Sequence, residues 1–424
     1  MNEIKKLKIK ETLKATKNRR SLLQCKTYEL KINKSKISKA CQAQLDKLFL
    51  ESKWLYNHIL SLEDRKTFDS KITKVNVRNK KLEIEERELT TISSQVKQSL
   101  NTRISNSIYA LSVLKKNGFK VGKLKFKPSI NCIPLKQYGI TYRINKHHNK
   151  LNIQGIKQSL HVNGLHQIQD VLEFGNANFI RKYGDYYLKI TCYERKEYKQ
   201  LEGSVGIDFG IETSIVLNTG EKFNVCVPVN KKIKKLHKRH CSKVKKSKNR
   251  IKAKIKLQKA YDKTNHQKAD LKNKIVSKIV NKYKIVCFQD ENIQGWQRGW
   301  YGVQVNRSAL GGIMRDLKTK SHTPVMIARY YASTQECPIC KKNTYHSPEK
   351  REYECSHCGY TNKCRDTHSA GNMLSKGLSM LELENNKIPM DNREFKPVET
   401  NASFAACGDK CLSGKQEAHG FNRG

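Results

Sequence analysis

Hydrophobic and polar positions alternate with two different periods in the first half of the chain. Residues 26–33 alternate polar and apolar side chains and predict a β-strand. Two later segments carry apolar residues at i, i+3 and i+4 spacing, which predicts amphipathic helices that pack in a core. Their apolar positions are Leu45, Leu48, Phe49, Leu55, Tyr56 and Ile59 in the first segment and Val96, Leu100, Ile104, Ile108 and Leu111 in the second. The second helix is predicted to end at Asn117-Gly118.

More strands are predicted before residue 200. In residues 120–127 (KVGKLKFK), apolar positions alternate with lysine, which predicts a strand with one basic face. Residues 139–195 predict β-hairpins, one of which turns at Tyr183-Gly184-Asp185. We therefore expect an α+β N-terminal lobe over residues 1–200, built as a small β-barrel with inserted helices.

The pattern changes to α/β from Val205 onward. Residues 205–218 predict a hairpin in which Gly206 and Gly210 permit close backbone approach. Residues 231–256 are dense in lysine and arginine and are predicted to continue as a long polar helix to Lys282. The exposed side of such a helix is either simply solvated or faces nucleic acid, and the overall charge favours nucleic acid.

Composition restricts the partners of this chain. Its 424 residues include 84 Lys+Arg against 38 Asp+Glu, a formal net charge of +46, which favours a polyanionic partner such as nucleic acid. A packaging protein would share this charge, but a chain with 37% hydrophobic residues can bury real cores, and its length predicts two or three domains. The Lys-rich N-terminus lacks the apolar segment of a signal peptide, and no apolar run is long enough to span a membrane. We expect a cytoplasmic protein without a membrane partner.

Four of the fourteen cysteines form two Cys-x-x-Cys motifs separated by a hairpin-length insert. Each motif places two thiolates on one tight turn, and the pair predicts a tetrahedral structural zinc site. The zinc ligands are Cys337, Cys340, Cys355 and Cys358. Because four thiolates complete the coordination sphere, His357 is not needed as a ligand. A redox pair would not need the second motif, and the scattered remaining cysteines fit a reducing compartment.

Acidic residues end strand-like segments in the second half. Asp208 ends one such segment, Asp290 and Glu291 follow another, and Asp366 comes shortly after the second cysteine motif. Hard cations such as Mg²⁺ prefer carboxylate oxygens, and two such ions about 4 Å apart can promote phosphodiester cleavage. Together with the basic charge, this pattern predicts a Mg²⁺-dependent nuclease.

These motifs together resemble the TnpB family, the RNA-guided nucleases of bacterial insertion sequences, and their relatives the miniature type V CRISPR effectors. The resemblance rests on residues 206–210 (GIDFG), on the paired cysteine motifs with Cys358-Gly359-Tyr360, and on residues 365–372 (RDTHSAGN). These stretches are similar to the first RuvC motif, the zinc-finger insert and the third RuvC motif of the family.

The resemblance implies both an architecture and a function. It implies a RuvC-like, RNase H-type α/β nuclease domain at 201–332 and 362–376, a four-cysteine zinc-finger insert at 333–361, and a largely disordered C-terminal tail at 377–424. It also implies an RNA-guided DNA endonuclease of a transposable element that binds guide RNA and target DNA and cleaves beside a short target-adjacent motif. The N-terminal lobe would then grip the guide RNA, and a monomer is favoured.

The second RuvC motif departs from the family pattern. The family commonly has Glu-Asp-Leu-Asn-Ile, whereas this chain has Gln289 at the first position, followed by Asp290 and Glu291. Strand alternation places residues 289 and 291 on one face, about 7 Å apart, and Asp290 on the other. A slightly bent strand end would bring the Glu291 carboxylate back into the site. We therefore assign Asp208, Glu291 and Asp366 as the catalytic carboxylates that bind Mg²⁺, with Asp290 as the alternative to Glu291, and we expect Gln289→Glu to be tolerated or to change activity modestly.

Two alternatives remain open at this point. The displaced acid also fits a nuclease-dead descendant that acts as an RNA-guided DNA-binding repressor. The motifs equally fit a miniature type V CRISPR effector, because the chain does not reveal whether it comes from a transposon or from a CRISPR array. The guide sequence and the target-adjacent motif are likewise not encoded in the residues.

Overall fold

The computed structural model describes residues 3–387 except 63, 65, 66, 80–82, 197–199, 211–214, 229 and 348. The chain divides into two compact units, each with its own hydrophobic core. The first comprises Met1–Gln200 and Val229–Gln267, and the second comprises Leu201–Pro228 and Lys268–Gly424. Residues 229–267 therefore belong with the N-terminal residues, although the sequence analysis placed them in the nuclease domain. The finer predicted division of the chain into domains stays a prediction.

The first unit combines helices with an extensive β-sheet. Its helices are α1 (Glu3–Ser21), α2 (Lys39–Ser61), α3 (Ser94–Lys116), α4 (Lys231–Cys241) and the first part of α5 (Lys248–Val280). Its strands are β1 (Leu23–Ile32), β2 (Lys74–Arg78), β3 (Ile84–Glu88), β4 (Cys132–Leu135), β5 (Tyr142–Asn145), β6 (Lys150–Ile153), β7 (Leu160–Asn163), β8 (Val171–Lys182) and β9 (Asp185–Arg195).

The main sheet of the first unit is a near-barrel. Its antiparallel strands lie in the order β4-β8-β9-β1-β7-β6-β5. The hydroxyl of Tyr142 on the edge strand β5 donates a hydrogen bond of 2.7 Å to the Gly175 carbonyl on β8, so the sheet curls toward its other edge. The predicted turn between β8 and β9 is present: Tyr183 and Gly184 both have positive φ, as a two-residue hairpin turn requires. The predicted barrel-like lobe is thus confirmed in its coarse form.

The two predicted amphipathic helices are confirmed as α2 and α3. The apolar positions of α2 are buried in the core of the first unit, and α3 is buried along its first half through Ile104. The α3 helix ends where the sequence predicted, with Asn117 as the C-cap residue and Gly118 at φ 81°. Glu51, fully buried on α2, accepts hydrogen bonds of 2.8–3.0 Å from the backbone N–H groups of residues 90–92 and so holds the loop that leads into α3.

Two predictions for the first unit are wrong in detail. Residues 120–127 form no strand, because they pair with no neighbouring strand; instead the Asn57 side chain exchanges hydrogen bonds of 2.9 and 3.0 Å with the Lys127 backbone. The basic segment is not one continuous helix, since it breaks between α4 and α5. The Ser247 side chain accepts from the Arg250 backbone N–H at 3.1 Å, which starts a new helix there.

The second unit is a mixed α/β fold with a small cysteine-rich module. Its strands are β10 (Ser204–Phe209), β11 (Ile215–Leu217), β12 (Lys222–Phe223), β13 (Ile285–Gln289), β14 (Thr323–Ile327), β15 (Tyr353–Glu354) and β16 (Thr361–Asn362). Its helices are the second part of α5, α6 (Ile293–Arg298), α7 (Gly302–Arg307), α8 (Leu310–Lys320) and α9 (Arg365–Lys387). Because α9 continues to Lys387, the first residues of the predicted tail are helical, and residues 388–424 lie outside the described residues.

The central sheet of the second unit has the order β12-β11-β10-β13-β14. The predicted hairpin is β10 with β11, and β10 pairs in parallel with β13, so that Ile207 lies opposite Phe288. The α9 helix packs against β10 and β13 at two glycines. A methyl group on Gly206 would overlap the Ala370 carbonyl oxygen of α9, and one on Gly377 of α9 would overlap the Cys287 sulfur of β13. Glycine at these two positions lets the helix lie directly on the sheet.

The described part of the chain contains no candidate transmembrane helix. None of its helices combines the length and the apolar character that crossing a membrane requires.

Candidate functional site

Asp208 lies near the carboxyl end of β10, where α9 crosses the sheet. Its carboxylate is half-buried and accepts a hydrogen bond of 3.0 Å from the hydroxyl of Ser369 on α9. The parallel neighbour β13 ends at Gln289, so the carboxyl ends of both strands meet at one edge of the sheet. In α/β sheets, polar residues that follow parallel strands meet at the carboxyl ends of those strands, and ligands bind there.

The electrostatics of Asp208 show which acids surround it. Burial is the largest effect and raises the pKa of Asp208, the Ser369 hydrogen bond opposes it, and the negative charges of Asp366 and Glu291 raise it further, to about 7. Two acidic neighbours disfavour the ionised form of a carboxyl group and so raise its pKa. The charges of Glu291 and Asp366, which were selected with Asp208 from distant parts of the sequence, therefore act on Asp208 at this edge of the sheet.

Glu291 lies in a turn that follows β13 rather than in the strand itself. After β13 ends, the Glu291 backbone N–H donates to the Gln289 carbonyl at 3.0 Å, which is the i to i+2 hydrogen bond of a γ-turn. Burial raises the pKa of Glu291, the nearby Arg329 lowers it, and Asp290 raises it. Strand β13 ends at Gln289, and the turn that follows it bends the chain at Glu291, as the predicted bent strand end required.

Gln289 and Asp290 are both engaged elsewhere. The buried Gln289 amide donates to the backbone carbonyls of the 328–331 loop at 2.7–3.1 Å. The Asp290 carboxylate forms an ion pair of 3.1 Å with Arg329. A carboxylate at position 289 could not donate hydrogen bonds to those carbonyls, and the effect of Gln289→Glu on activity stays a prediction.

Asp366 occupies the first turn of α9 and is half-buried. The unpaired backbone N–H groups and the dipole at a helix N-terminus favour a carboxylate there. Because the Gly206 contact seats the same helix on β10, Asp366 is carried to the edge of the sheet where Asp208 lies. The oxygen ligands of the three acids match the donor set that Mg²⁺ prefers.

The four predicted zinc ligands converge to a single point. The Sγ atoms of Cys337 and Cys358 are 3.5 Å apart and those of Cys340 and Cys355 are 3.6 Å apart. Tetrahedral zinc with Zn–S bonds of about 2.3 Å would separate its sulfurs by about 3.8 Å, so the four residues fit this metal. Among the described residues they are the group whose ligand atoms all lie within 4.8 Å of one another, whereas the three acids interact by charge without converging to that distance.

Both cysteine motifs use the same backbone turn. The backbone N–H of Lys341 donates to the Cys337 carbonyl at 3.0 Å, and that of Gly359 donates to the Cys355 carbonyl at 3.0 Å. Each residue that follows a motif has a left-handed backbone, with φ of 59° at Lys341 and 72° at Gly359. The two motifs thus share one backbone turn, and together they hold four thiols within 4.8 Å of one another, as a tetrahedral metal requires.

Three polar residues near this site were not selected from the sequence. Ser369, Ser333 and Asn372 are buried around the contact between α9 and Asp208. Ser369 and Asn372 follow His368 on one face of α9 at a spacing that ordinarily carries apolar core residues. Polar residues on the buried face of an amphipathic helix were the signal that could have indicated them.

Comparisons with known proteins agree with the predicted resemblance. Residues 190–295 match the family model OrfB_IS605, described as a probable transposase. The match covers β10, the first predicted RuvC motif and the residues around Glu291, and it confirms the resemblance to the TnpB-like proteins of insertion sequences. No curated protein matches the chain.

Solved structures also match, but distantly. One is the cryo-EM structure of a Cas12f1-sgRNA-target DNA complex, with 15% sequence identity, 83% of this chain and 99% of that chain covered, and a TM-score of 0.26. A likeness at this level is too distant to carry an argument about this chain.

Proposed function

We propose, from the premise that residues 190–295 match the probable transposases of the OrfB_IS605 family, that this protein is an RNA-guided DNA endonuclease of a transposable element. The observation that carries the proposal is the arrangement around Asp208. The charges of Glu291 and Asp366 act on its carboxylate at the edge of a mixed sheet, in a chain whose net charge of +46 fits a nucleic-acid substrate. The second unit would then be the RuvC-like nuclease domain.

The three acids would hold Mg²⁺. When bound, that cation activates water and stabilises the leaving oxygen of a phosphodiester. Asp208 would supply one ligand from the end of β10, Glu291 another from the γ-turn after β13, and Asp366 a third from the first turn of α9. Asp290 is engaged in an ion pair with Arg329, whereas Glu291 is one of the two acids whose charge acts on Asp208, so Glu291 is proposed as the third acid.

Guide RNA and target DNA are the proposed partners. The α4 helix has the sequence KKIKKLHKRHC and no buried residue, so its cations are available to phosphates. Base pairing between guide and target would read the sequence, while the protein would contact the backbone and a short target-adjacent motif. RNA of discrete sequence that copurifies with the protein would establish that it is guided.

The cysteine module is proposed to hold structural zinc. Four thiolates complete its coordination, so the metal there would stabilise the fold of residues 337–358 rather than act on the substrate. Elemental analysis of the purified protein should find one zinc per chain, and Cys337→Ser should lower that content. Protein prepared with care and found without zinc would contradict this assignment.

A cleavage assay with a matched guide and target tests the proposed nuclease. Asp208→Ala, Glu291→Ala and Asp366→Ala should each abolish Mg²⁺-dependent cleavage and leave guided DNA binding intact. Asp270→Ala is the matched control, because Asp270 is an exposed acid paired with Lys274 on α5, and it should cleave like the wild type. Asp290→Ala should retain most activity. Loss of cleavage in Asp290→Ala with full activity in Glu291→Ala would reverse the assignment of the third acid.

One observation favours a second candidate function. Gln289 stands where the family commonly has glutamate, and its amide is used to hold the 328–331 loop. A chain without cleavage activity would still bind guide and target, and would act as an RNA-guided repressor. Guided binding without cleavage by the wild-type protein, with guide and target verified, would establish the repressor instead. A miniature type V CRISPR effector differs in the source of its guide, which sequencing the bound RNA distinguishes.

A further inference from the structure

A buried chain of polar contacts leads from Asp208 into the cysteine module. The Ser369 hydroxyl oxygen lies 3.0 Å from Asp208 Oδ1 and 2.9 Å from the hydroxyl oxygen of Ser333. Ser369 is fully buried and Ser333 is 5% exposed, so water does not compete for these bonds. A hydroxyl has one proton, and Ser369 can donate it to the Asp208 carboxylate while it accepts one from Ser333.

Asn372 fixes the other end of the segment that contains Ser333. It lies one turn along α9 from His368 and is buried. Its side-chain nitrogen donates to the Ser333 carbonyl at 2.8 Å and to the Glu336 carbonyl at 2.7 Å. Glu336 directly precedes Cys337, the first of the four metal-binding cysteines. The backbone that enters the first cysteine motif is thus held by the same helix that contacts Asp208.

The second cysteine motif is held by α9 as well. The ring of His368 on α9 stacks on Tyr353, with centroids 3.7 Å apart and planes inclined by 15°. Tyr353 is fully buried, and its hydroxyl donates to the Gln335 carbonyl at 3.1 Å. It lies two residues before Cys355 on β15. Both halves of the module therefore pack on one face of α9, within a turn of the residue that contacts Asp208.

We infer that Ser369 positions the Asp208 carboxylate for a divalent cation, and that α9 couples this position to metal occupancy at the four cysteines. The inference rests on the proposed cation site at Asp208. A donor that fixes Oδ1 limits rotation of the carboxylate, so that Oδ2 would be the oxygen offered to the cation. Metal bound at the cysteines would order residues 333–337, and the hydrogen bond between Ser333 and Ser369 would transmit that order to α9. Outer hydrogen-bond partners of metal ligands act in this way on affinity.

Cation binding, rather than cleavage, tests the positioning role. Mn²⁺ is titrated into the full-length, zinc-loaded protein free of RNA, and free Mn²⁺ is measured by electron paramagnetic resonance, with Asp208→Ala as the reference without the site. Asp208→Ala should remove the specific Mn²⁺ binding. Ser369→Ala should weaken that binding by roughly tenfold and leave the zinc content unchanged. Ser375→Ala is the matched control, since Ser375 is exposed on the same helix, and it should bind as the wild type does.

A second variant guards against a trivial loss of folding. Ser333→Ala removes the partner of Ser369 without touching Asp208, and should weaken Mn²⁺ binding in the same direction by a smaller factor. The double variant should be no weaker than Ser369→Ala, because both changes break one chain of contacts. Independent, multiplying losses in the double variant would overturn the inference.

The coupling has its own readout. Cys358→Ser, which removes an exposed ligand of the cysteine site, should lower both zinc content and Mn²⁺ affinity in an otherwise wild-type chain. In the Ser369→Ala background the same substitution should lower zinc content without a further loss of Mn²⁺ affinity. Unchanged Mn²⁺ affinity in Ser369→Ala, beside a clear loss in Asp208→Ala, would refute the inference and leave the proposed nuclease site standing. Wild-type protein that binds no more Mn²⁺ than Asp208→Ala would refute both.

Discussion

Gly206 on β10 lies directly against the backbone of Ala370 on α9. A methyl group at position 206 would overlap the Ala370 carbonyl oxygen and lie 2.8 Å from the Leu374 backbone nitrogen. Both obstacles are backbone atoms of a helix, which cannot rotate away as a side chain can. The glycine beside Asp208 is therefore what allows α9, with Asp366 and Ser369, to reach the edge of the sheet.

Gly206→Ala should destabilise the second unit by about 3 kcal/mol, because α9 must move away from the sheet to make room. Urea unfolding followed by circular dichroism measures the loss. Gly371→Ala is the matched control on α9: its surroundings are open, and alanine favours a helix over glycine, so it should stabilise by up to about 1 kcal/mol. Equal stability of the two variants would show that α9 does not rest on Gly206.

Gln289→Glu should destabilise the protein by about 2 kcal/mol. The Gln289 amide donates to the carbonyls of Ala328, Arg329 and Tyr331, and a carboxylate in its place would face those carbonyl oxygens without a proton to donate. Thermal unfolding measures the effect. Gln294→Glu, an exposed change of the same chemistry, should be close to neutral. A Gln289→Glu protein as stable as the wild type would mean that the loop can reorganise around an acid.

Gly359→Ala should destabilise the cysteine module by about 1 kcal/mol. Space around Gly359 is open, so the cost comes from its left-handed backbone, which alanine adopts reluctantly. Lys341, the equivalent residue of the first motif, already has a left-handed backbone. Lys341→Gly should therefore relieve this strain and stabilise the cysteine module by a similar amount. The competition of each variant with a chelator for zinc measures both effects. Changes of the same sign in the two variants would contradict the shared turn.

The stability that Asp316 contributes should depend on pH below about 4. Burial acts to raise the pKa of Asp316 on α8, but hydrogen bonds from Lys272, Lys320 and Arg315 outweigh burial and lower the pKa to about 2. A lowered pKa means that the contribution is full above the unfolded-state pKa, which is about 3.9. It is lost as the pH falls through the folded-state pKa.

Asp316→Asn measures that contribution. Its thermal unfolding temperature should lie below that of the wild type at pH 7, and the gap should narrow between pH 4 and pH 2 as the wild-type carboxylate gains its proton. Asp270→Asn, at an exposed pair, should show little gap at any pH. A gap for Asp316→Asn that stays constant down to pH 2 would mean that its three cations do not stabilise the charged form.

Affinity for nucleic acid should fall steeply with salt, because bound phosphates release counterions. Neutralising Lys234, Lys235 and Lys238, which are exposed on α4, should make the slope of log affinity against log salt shallower by about 0.9 for each phosphate that these lysines no longer neutralise. Filter binding at several salt concentrations measures this slope. Replacing Lys274, which is paired with Asp270, is the control. An unchanged slope in the α4 variant would mean that this helix is only solvated.

Local sequence patterns were sufficient to predict those features that depend on residues close together in the chain. The apolar periods of α2 and α3, the turn at Tyr183 and Gly184 and the spacing of the cysteines each concern residues close in sequence, and the structure contains all of them. Because one face of each helix or strand must be buried, apolar residues recur with the period of that element, and the element can be predicted from the sequence. The same rule failed at residues 120–127, where the alternation is present but no partner strand is.

The residues of the chain specify the two cysteine motifs, the three acids and the charge that calls for a nucleic-acid partner, because these depend on residue type and spacing alone. The folded chain decides how they act together. Glu291 lies in a γ-turn after β13 rather than in the strand, and the buried Gln289 amide donates hydrogen bonds to the 328–331 loop. Ser369 donates a hydrogen bond to Asp208, which is 161 positions away in the sequence. Such relationships depend on long-range packing of α9 on β10, and a contact between distant segments leaves no period in the sequence for a local pattern to reveal.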